Sequence, residues 1–472
     1  MKDRFNASKA GEFYKRVFTI TWPIALQSLI SVGVNMLDTI MVGSLGDDPL
    51  SATSLANSFI GVYQIFCMGL GMGASVLVSR YWGMKSAAIT GGDSDGEKKA
   101  ERALKQTVAL MLRITLGLAL LFAIATMFFP QPIMRMYNNE PEILRYGAIY
   151  FKYSIVTYFF MGASLVCTIV LRSVGQVKLP LFVSIGAFSI NLVMNYCLIF
   201  GKLGFPKLEI AGAALATLIS RVFEAAMICG YLLIFDKKIA FRVKHIFMKT
   251  KSLIGEYFRI SIPVLISDGI LAIGNNAVAM VIGHLGGNFV AANAITSVTQ
   301  QLSSVVISGV AQAGAIVTGQ TLGEGDKDKA MSQGYRFFGL GLVLGIIAAV
   351  FILILSNPII ASYKEASEET VKIAKQLMIA ISIIVVFQGT NSIMTKGVLR
   401  GGGDTKLLMI TDNIFLWILA IPLGLLGGFV LKVPPFWIYI FIKSDQIVKT
   451  LYSFLRLRSG KWIKKISVGK ET

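Results

Sequence analysis

"TWPIALQSLISVGVNMLDTIMVGSLGDDPLSA", residues 21–52, has a counterpart later in the chain, "SIPVLISDGILAIGNNAVAMVIGHLGGNFVAA", residues 261–292. The two align without a gap. Pro23 falls on Pro263, Asn35 on Asn275, Gly43 on Gly283, Gly46 on Gly286 and Ala52 on Ala292, each pair 240 residues apart. Gly83 and Gly323 keep that offset. A longer loop in the first half, "MKSAAITGGDSDGEKKA" (84–100), then shortens it, and "LRSVGQVK" (171–178) matches "LRGGGDTK" (399–406) at an offset of 228. Three motifs in register make the chain an internal duplication.

The duplicated unit is built for lipid. Of 472 residues, 54% are hydrophobic and only 15% charged, with a mean hydropathy of +0.68; soluble domains carry about 25% charged residues. A membrane helix needs about 20 mostly apolar residues. Twelve segments qualify: 17–43, 53–79, 107–129, 143–171, 179–200, 210–234, 257–283, 291–319, 337–356, 369–395, 407–430 and 436–454. The expected fold is therefore all-α and polytopic, with twelve transmembrane helices in two pseudo-symmetric six-helix lobes. Its parts are a cytoplasmic N-terminal segment (1–16), an N-lobe (17–234), a basic cytoplasmic linker (235–256), a C-lobe (257–454) and a basic cytoplasmic tail (455–472). The linker is expected to include an amphipathic stretch lying on the membrane surface. No cleavable signal peptide is apparent, because the polar N-terminus leads into an apolar run too long for one.

A net charge of +19 would suit nucleic acid if it were spread over a soluble surface. Here it is sorted by side. Lys2, Arg4, Lys9, Lys15 and Arg16 precede the first segment, and basic residues recur after even-numbered ones, in 80–102, 172–178, 237–251, 396–406 and 456–470. The odd-numbered exits hold few, such as Arg135, Lys202, Lys207, Lys364 and Lys432. The positive-inside rule places both termini in the cytoplasm, and the basic excess serves topology and contact with anionic membrane lipid rather than nucleic acid. The four cysteines all lie in apolar segments and read as small hydrophobes. With two distant histidines and no CxxC, neither metal nor nucleophile chemistry has a foothold. The chain is not an enzyme and needs no cofactor.

Two parallel six-helix repeats about an axis along the membrane normal are a transporter plan, with the substrate site near the midplane. Polar residues inside the segments are then the candidates. A carboxylate at the centre of a membrane helix costs roughly 3 kcal/mol on insertion scales, so Asp38 stands out. It lies about five residues, or roughly 7–8 Å, from the outer end of segment 1. Gln27, Ser31, Asn35 and Asp38 are spaced by 4, 4 and 3 and share one helix face, which must meet protein or a water-filled cavity. Asn191 and Asn195 are likewise i, i+4 in segment 5. As residues alone they fit interhelical hydrogen bonds equally well, and Asp38 has the same bland alternative.

Twelve helices in a six-plus-six repeat, "DTIMVGSLG" (38–46) closing segment 1, and the paired "LRSVGQVK" and "LRGGGDTK" resemble the MATE family (multidrug and toxic compound extrusion) over nearly the whole chain, from about Phe18 to Trp462. The resemblance implies a cell-membrane antiporter, a monomer, that exports amphipathic, often cationic small molecules by alternating access, with Na⁺ or H⁺ as the coupling ion. It also implies an N-lobe ion site of Asp38, Asn191, Asn195 and Thr217. Many relatives carry aspartate where Asn195 stands, so this site has one carboxylate. Val278 occupies the repeat position of Asp38, and Gly389 stands where one branch of the family has a second acid, so coupling is assigned to the N-lobe alone.

In the second half, Asn293, Ser297, Gln300, Ser304, Ser308 and Gln312 form a neutral stripe on segment 8 that lines the substrate cavity or packs against a neighbouring helix. The cavity set is Gln27, Ser31, Asn35, Asp268, Asn275, Asn293, Gln300, Gln388 and Asn391. Arg221 and Glu224, i and i+3, suit an internal ion pair, Arg172 and Arg400 suit loop anchors on the cytoplasmic side, and Asp412 is a cavity residue or a partner of Lys396 or Arg400. The alternative within transport is a lipid-linked saccharide flippase of the same superfamily. It would want several cations inside its helices to hold a pyrophosphate.

Overall fold

A computed structural model describes residues 7–363 and 367–466. Lys2, Arg4, Lys364 and Lys470 lie outside the described residues, as does the side chain of Lys9. Among the described residues all regular structure is helical, as lipid demands when every backbone amide must be satisfied within its own segment. The membrane elements are α1 (Ala7–Gly43), α2 (Asp47–Gly91), α3 (Ser94–Phe128), α4 (Pro141–Ser173), α5 (Lys178–Phe200), α6 (Glu209–Phe235), α7 (Lys251–His284), α8 (Gly287–Gly323), α9 (Lys327–Ser362), α10 (Glu368–Leu399) and α11 (Thr405–Val430). These eleven are long and apolar enough to cross a membrane. The twelfth, α12, comes in two pieces, Pro435–Ile442 and Ser444–Arg458. Its apolar run "FWIYIFI" ends at Lys443, and Ser444 and Asp445 restart the helix. Pro23 and Pro263 sit inside α1 and α7 without ending them.

Wider π turns close α6, α10 and α11, at Tyr231–Phe235, Ile393–Leu399 and Leu426–Val430, and another, Phe415–Ala420, interrupts α11. Such turns are rare and gather at functional sites. Here the turn Ile393–Leu399 lies between Asn391 and Arg400, and the turn Phe415–Ala420 begins three residues after Asp412.

The described chain forms two compact units, and both depart from simple chain order. One holds residues 26–82 and 94–261; the other holds residues up to 25, 83–93 and 262 onward. The expected lobe borders, 17–234 and 257–454, are thus crossed by the inner end of α1, the end of α2 and the start of α7. In the first unit Ser261 of α7 sits against Gly73 of α2, where an added Cβ would be 2.5 Å from the Ser261 Cα. In the second, Phe13 of α1 meets Phe337 edge-on at 5.0 Å, and Arg16 donates to Gln320 at 2.5 Å.

Lipid tails are as apolar as leucine, so helix association rests on close packing rather than on hydrophobic burial. The first unit gathers Tyr63, Phe122 and Tyr158 from α2, α3 and α4, with ring centroids 5.1–5.9 Å apart. The Tyr63 hydroxyl donates to the Tyr158 carbonyl at 2.8 Å. In the second unit Gly341 and Gly345, four apart on α9, let that helix reach the backbone of α10 at Thr390 and Val386; a Cβ there would lie 2.9 and 2.6 Å away.

The linker contains a short 3₁₀ turn, Val243–Phe247. Arg113 of α3 holds it, donating to the carbonyls of Ile246 at 2.5 Å and Met248 at 2.6 Å. Asp236, fully buried, accepts from the Ile239 amide at 2.8 Å and from the Gln176 side chain at 2.8 Å. These bonds fold the linker back on its own lobe.

Candidate ion site of the N-lobe

Asp38 is held by α5. The Asn195 side-chain amide donates to Asp38 Oδ1 at 2.5 Å and to Asn191 Oδ1 at 3.2 Å. Asn191 and Asn195 are both buried, as their i, i+4 spacing on one face requires. With both amide protons so committed, the Asn195 carbonyl oxygen is buried without a hydrogen-bond partner, an arrangement that costs free energy unless something positive meets it. The hydroxyl of Tyr150 donates to Asn57 Oδ1 at 3.3 Å, and Tyr150 lies beside Thr217 of α6 and within electrostatic range of Asp38. Five helices, α1, α2, α4, α5 and α6, thus converge on one carboxylate and a set of neutral oxygens. Such a hard-oxygen set suits a small monovalent cation. Among the described residues no group of three or more His, Cys, Asp or Glu is placed to hold a metal ion.

The polar stripe of α1 divides. Gln27 is buried, donating to Ser184 at 2.6 Å and accepting from Arg172, whereas Ser31 and Asn35 between it and Asp38 are exposed. Arg172 is therefore more than a loop anchor, since its guanidinium reaches α1. Arg221 and Glu224 form the expected ion pair at 2.6 Å, and it extends both ways. The Arg221 charge acts on Asp38, and the Glu224 charge acts on Arg172. Tyr150 and Asn57 were not singled out in the sequence; their polarity inside apolar segments was the available signal.

In the second unit Asp268 pairs with Arg400 at 3.4 Å, so this arginine too reaches a membrane helix. Gln300 donates to Gln388 at 2.8 Å, and Tyr439 donates to Gln300 at 3.3 Å. Asn391 is buried and donates to Gln446 at 3.0 Å. Asn275 is exposed and Asn293 half-buried. Asp412 faces Lys449 at 3.9 Å, with the Lys396 and Arg400 charges also acting on it. Lys443, Asp445, Gln446 and Lys449 of α12 were not singled out in the sequence, although charges within 436–454 were visible there.

The family model MatE matches residues 23–197 and 263–426, the two halves of the repeat. The chain is 24% identical to an uncharacterized transporter, YisQ, of Bacillus subtilis, over 95% of each chain. It is 26% identical to the multidrug resistance protein NorM of Burkholderia vietnamiensis, over 85% of this chain and 84% of that one. Among solved structures, a mutant of the Vibrio cholerae MATE transporter VcmN superposes with a TM-score of 0.82 at 18% identity, covering 96% of this chain and 98% of that one. At that identity the likeness speaks for the fold.

Proposed function

The chain belongs to the MatE family of multi-pass membrane transporters, and on that footing we propose that it exports amphipathic organic cations across the cell membrane in exchange for Na⁺ or H⁺. It is a transporter and not an enzyme. Relatives named as multidrug resistance proteins over most of their length support the efflux reading. The carrying observation is Asp38, an intramembrane carboxylate bonded by Asn195 at 2.5 Å beside a buried carbonyl oxygen with no partner.

The ionised carboxylate, the carbonyls of Asn191 and Asn195, Thr217 and Tyr150 supply only oxygen, and a cation entering among them neutralises the charge. A coupling ion drives a cycle only if it favours one conformation over another. Here the ion would recruit the Asn195 carbonyl, which means rotating its amide and releasing the bond to Asp38. The outer half of α1 is thereby freed to repack. Ser31 and Asn35, exposed within a membrane helix, face water on the substrate path. Both termini are cytoplasmic, as the basic residues direct, and the monomer is the working unit. The saccharide flippase is disfavoured because Arg400 and Lys449 are held by aspartates and do not offer their charge to a pyrophosphate.

The test is efflux of a fluorescent organic cation from proteoliposomes, with Na⁺ and pH gradients imposed separately. One gradient should drive uphill export of the cation, and an anionic dye of similar size should move at the rate of protein-free vesicles. Equal transport of the anion, or no response to either gradient, would overturn the proposal.

A further inference from the structure

Deep in the second unit, α12 carries a cation where the N-lobe site has none within bonding distance. Lys449 Nζ lies 2.8 Å from Asp445 Oδ2 and 3.9 Å from Asp412 Oδ1. The three side chains are 4%, 2% and 8% exposed. Gln446 donates to Asp445 at 2.7 Å and accepts from Asn391 at 3.0 Å, and the carbonyl oxygen of Asn391 is buried with no hydrogen-bond partner. Two carboxylates, a carboxamide bridge and an orphan carbonyl form an oxygen cluster like that around Asp38. Its cation is covalently attached.

We infer that this is a monovalent-cation site plugged by the Lys449 ammonium, so that the C-lobe stays in its ion-loaded packing through the transport cycle. The remaining charges near it are Lys443 on α12, Lys396 on α10, and the Arg400–Asp268 pair joining α10 and α7. Arg400 and Asp268 cancel, and Lys396 is exposed, which leaves Lys449 as the one ammonium within 4 Å of both Asp412 and Asp445 among the described residues. An ammonium and a sodium ion carry the same charge, but only the ammonium is tied to a helix. A tied cation cannot be released to either side of the membrane, so this cluster stabilises the lobe without coupling it to a gradient. Removing the side chain should leave an acidic pocket that recruits a free cation, because two buried carboxylates without a countercharge strongly disfavour the fold.

The test uses Asp38→Asn as background, so that cation binding at the N-lobe does not contribute and failure of the proposed coupling reading stays distinguishable. Lys449→Ala in that background is purified and its thermal midpoint followed while Na⁺, K⁺ or methylammonium replaces choline at constant ionic strength. The expected result is a saturable rise in midpoint, largest for methylammonium, which restores the lost group. Asp38→Asn alone should show no rise. Lys449→Arg should also be flat, since it keeps the tethered charge. Should Lys449→Ala aggregate in every salt, Lys449→Ala/Asp445→Asn, with one carboxylate fewer, is read the same way. No cation response in either variant, failure to recover either with any of the cations, or an equal rise in Asp38→Asn alone would overturn the inference.

Discussion

The two lobes descend from one repeat yet treat the same problem differently. Position 38 is an aspartate in the first half, and its partner 240 residues on is a buried valine, Val278. Position 184 is a serine bonded to Gln27, and its partner 228 residues on is Asp412, facing Lys449. Even the arginines that match, Arg172 and Arg400, meet a glutamine in one lobe and Asp268 in the other. The N-lobe therefore places one carboxylate among neutral oxygens, whereas the C-lobe sets its carboxylates against lysine and arginine. An unbalanced buried charge is expensive, and a binding ion can balance it. A charge already balanced by its own helix has no such use for an ion. The comparison teaches that the duplicated fold fixes where polar groups can stand, and the countercharges decide which of them can work with a gradient.

The largest expected effect comes from removing the free charge. Asp38→Asn keeps the shape of the side chain and is easier to bury, so the protein should insert and fold as wild type does. Gradient-driven efflux should fall to the level of protein-free vesicles while some substrate binding persists. Val278→Ala, the matched change in the other lobe, should keep coupling and lose only packing, about 1–2 kcal/mol. Both are read by efflux and by a binding titration on the same preparation. Uphill transport by folded Asp38→Asn at the wild-type rate would make Asp38 a structural hydrogen-bonder.

Next in size is Asn195→Asp, which puts a second carboxylate at hydrogen-bond distance from the first. Two like charges so close share a proton or a cation. Efflux should then become more dependent on the pH gradient, and the ratio of pH-driven to Na⁺-driven rates should rise about tenfold, equivalent to about 1.4 kcal/mol. An unchanged ratio would mean that Asn195 does not face the coupling ion.

Much of this was legible beforehand, for reasons that are local. Hydropathy and the repeat give twelve helices because lipid leaves few options for a backbone. The pair Asn191 and Asn195 could be placed on one face from spacing alone. What stayed hidden was which way a shared face points. Gln27 sits on the Asp38 stripe yet is buried against Arg172, and Asn391 turns toward Gln446 instead of standing open. The units' exchange of α1, α2 and α7 ends was also invisible, since it depends on single contacts such as Gly73 with Ser261. So was the ion pairing of α12: Asp445 and Lys449 are i, i+4, but the position of Asp412 across from them is a tertiary fact.

A smaller effect is expected from Arg221, whose charge acts on Asp38. It repels an incoming ion and is itself restrained by Glu224 at 2.6 Å. Arg221→Gln should lower the coupling-ion concentration for half-maximal efflux by roughly three- to tenfold, about 0.7–1.4 kcal/mol. Glu224→Gln, which frees the arginine, should raise it. Changes in the same direction for both would show that the pair acts only as a packing element.

The smallest effect lies outside the membrane, where each lobe is latched around the end of its sixth helix and the segment that follows. In the C-lobe, Arg456 and Lys464 bind Asp404 at 2.7 and 3.3 Å, and fully buried Trp462 seals the contact. In the N-lobe, the linker turn depends on His245, whose Nδ1 accepts the Arg242 backbone amide at 2.9 Å. Only a neutral imidazole can accept there. Partial burial, then the charges of Lys105, Lys244 and Arg242, hold its pKa below the ordinary 6.5, with Glu101 opposing. A histidine whose folded value is depressed stabilises the turn above its unfolded pKa and loses that contribution as pH falls through the folded value. Hydrogen exchange of the Arg242 amide, corrected for intrinsic rates, should therefore lose protection on going from about pH 7.5 to about pH 5. Segment 456–466 contains no histidine and should stay level over the same range. His245→Asn, whose carbonyl oxygen can still accept, should flatten the N-lobe response without abolishing protection. Equal acid sensitivity of the two latches, or none in wild type, would mean that the turn is held by Arg113 alone.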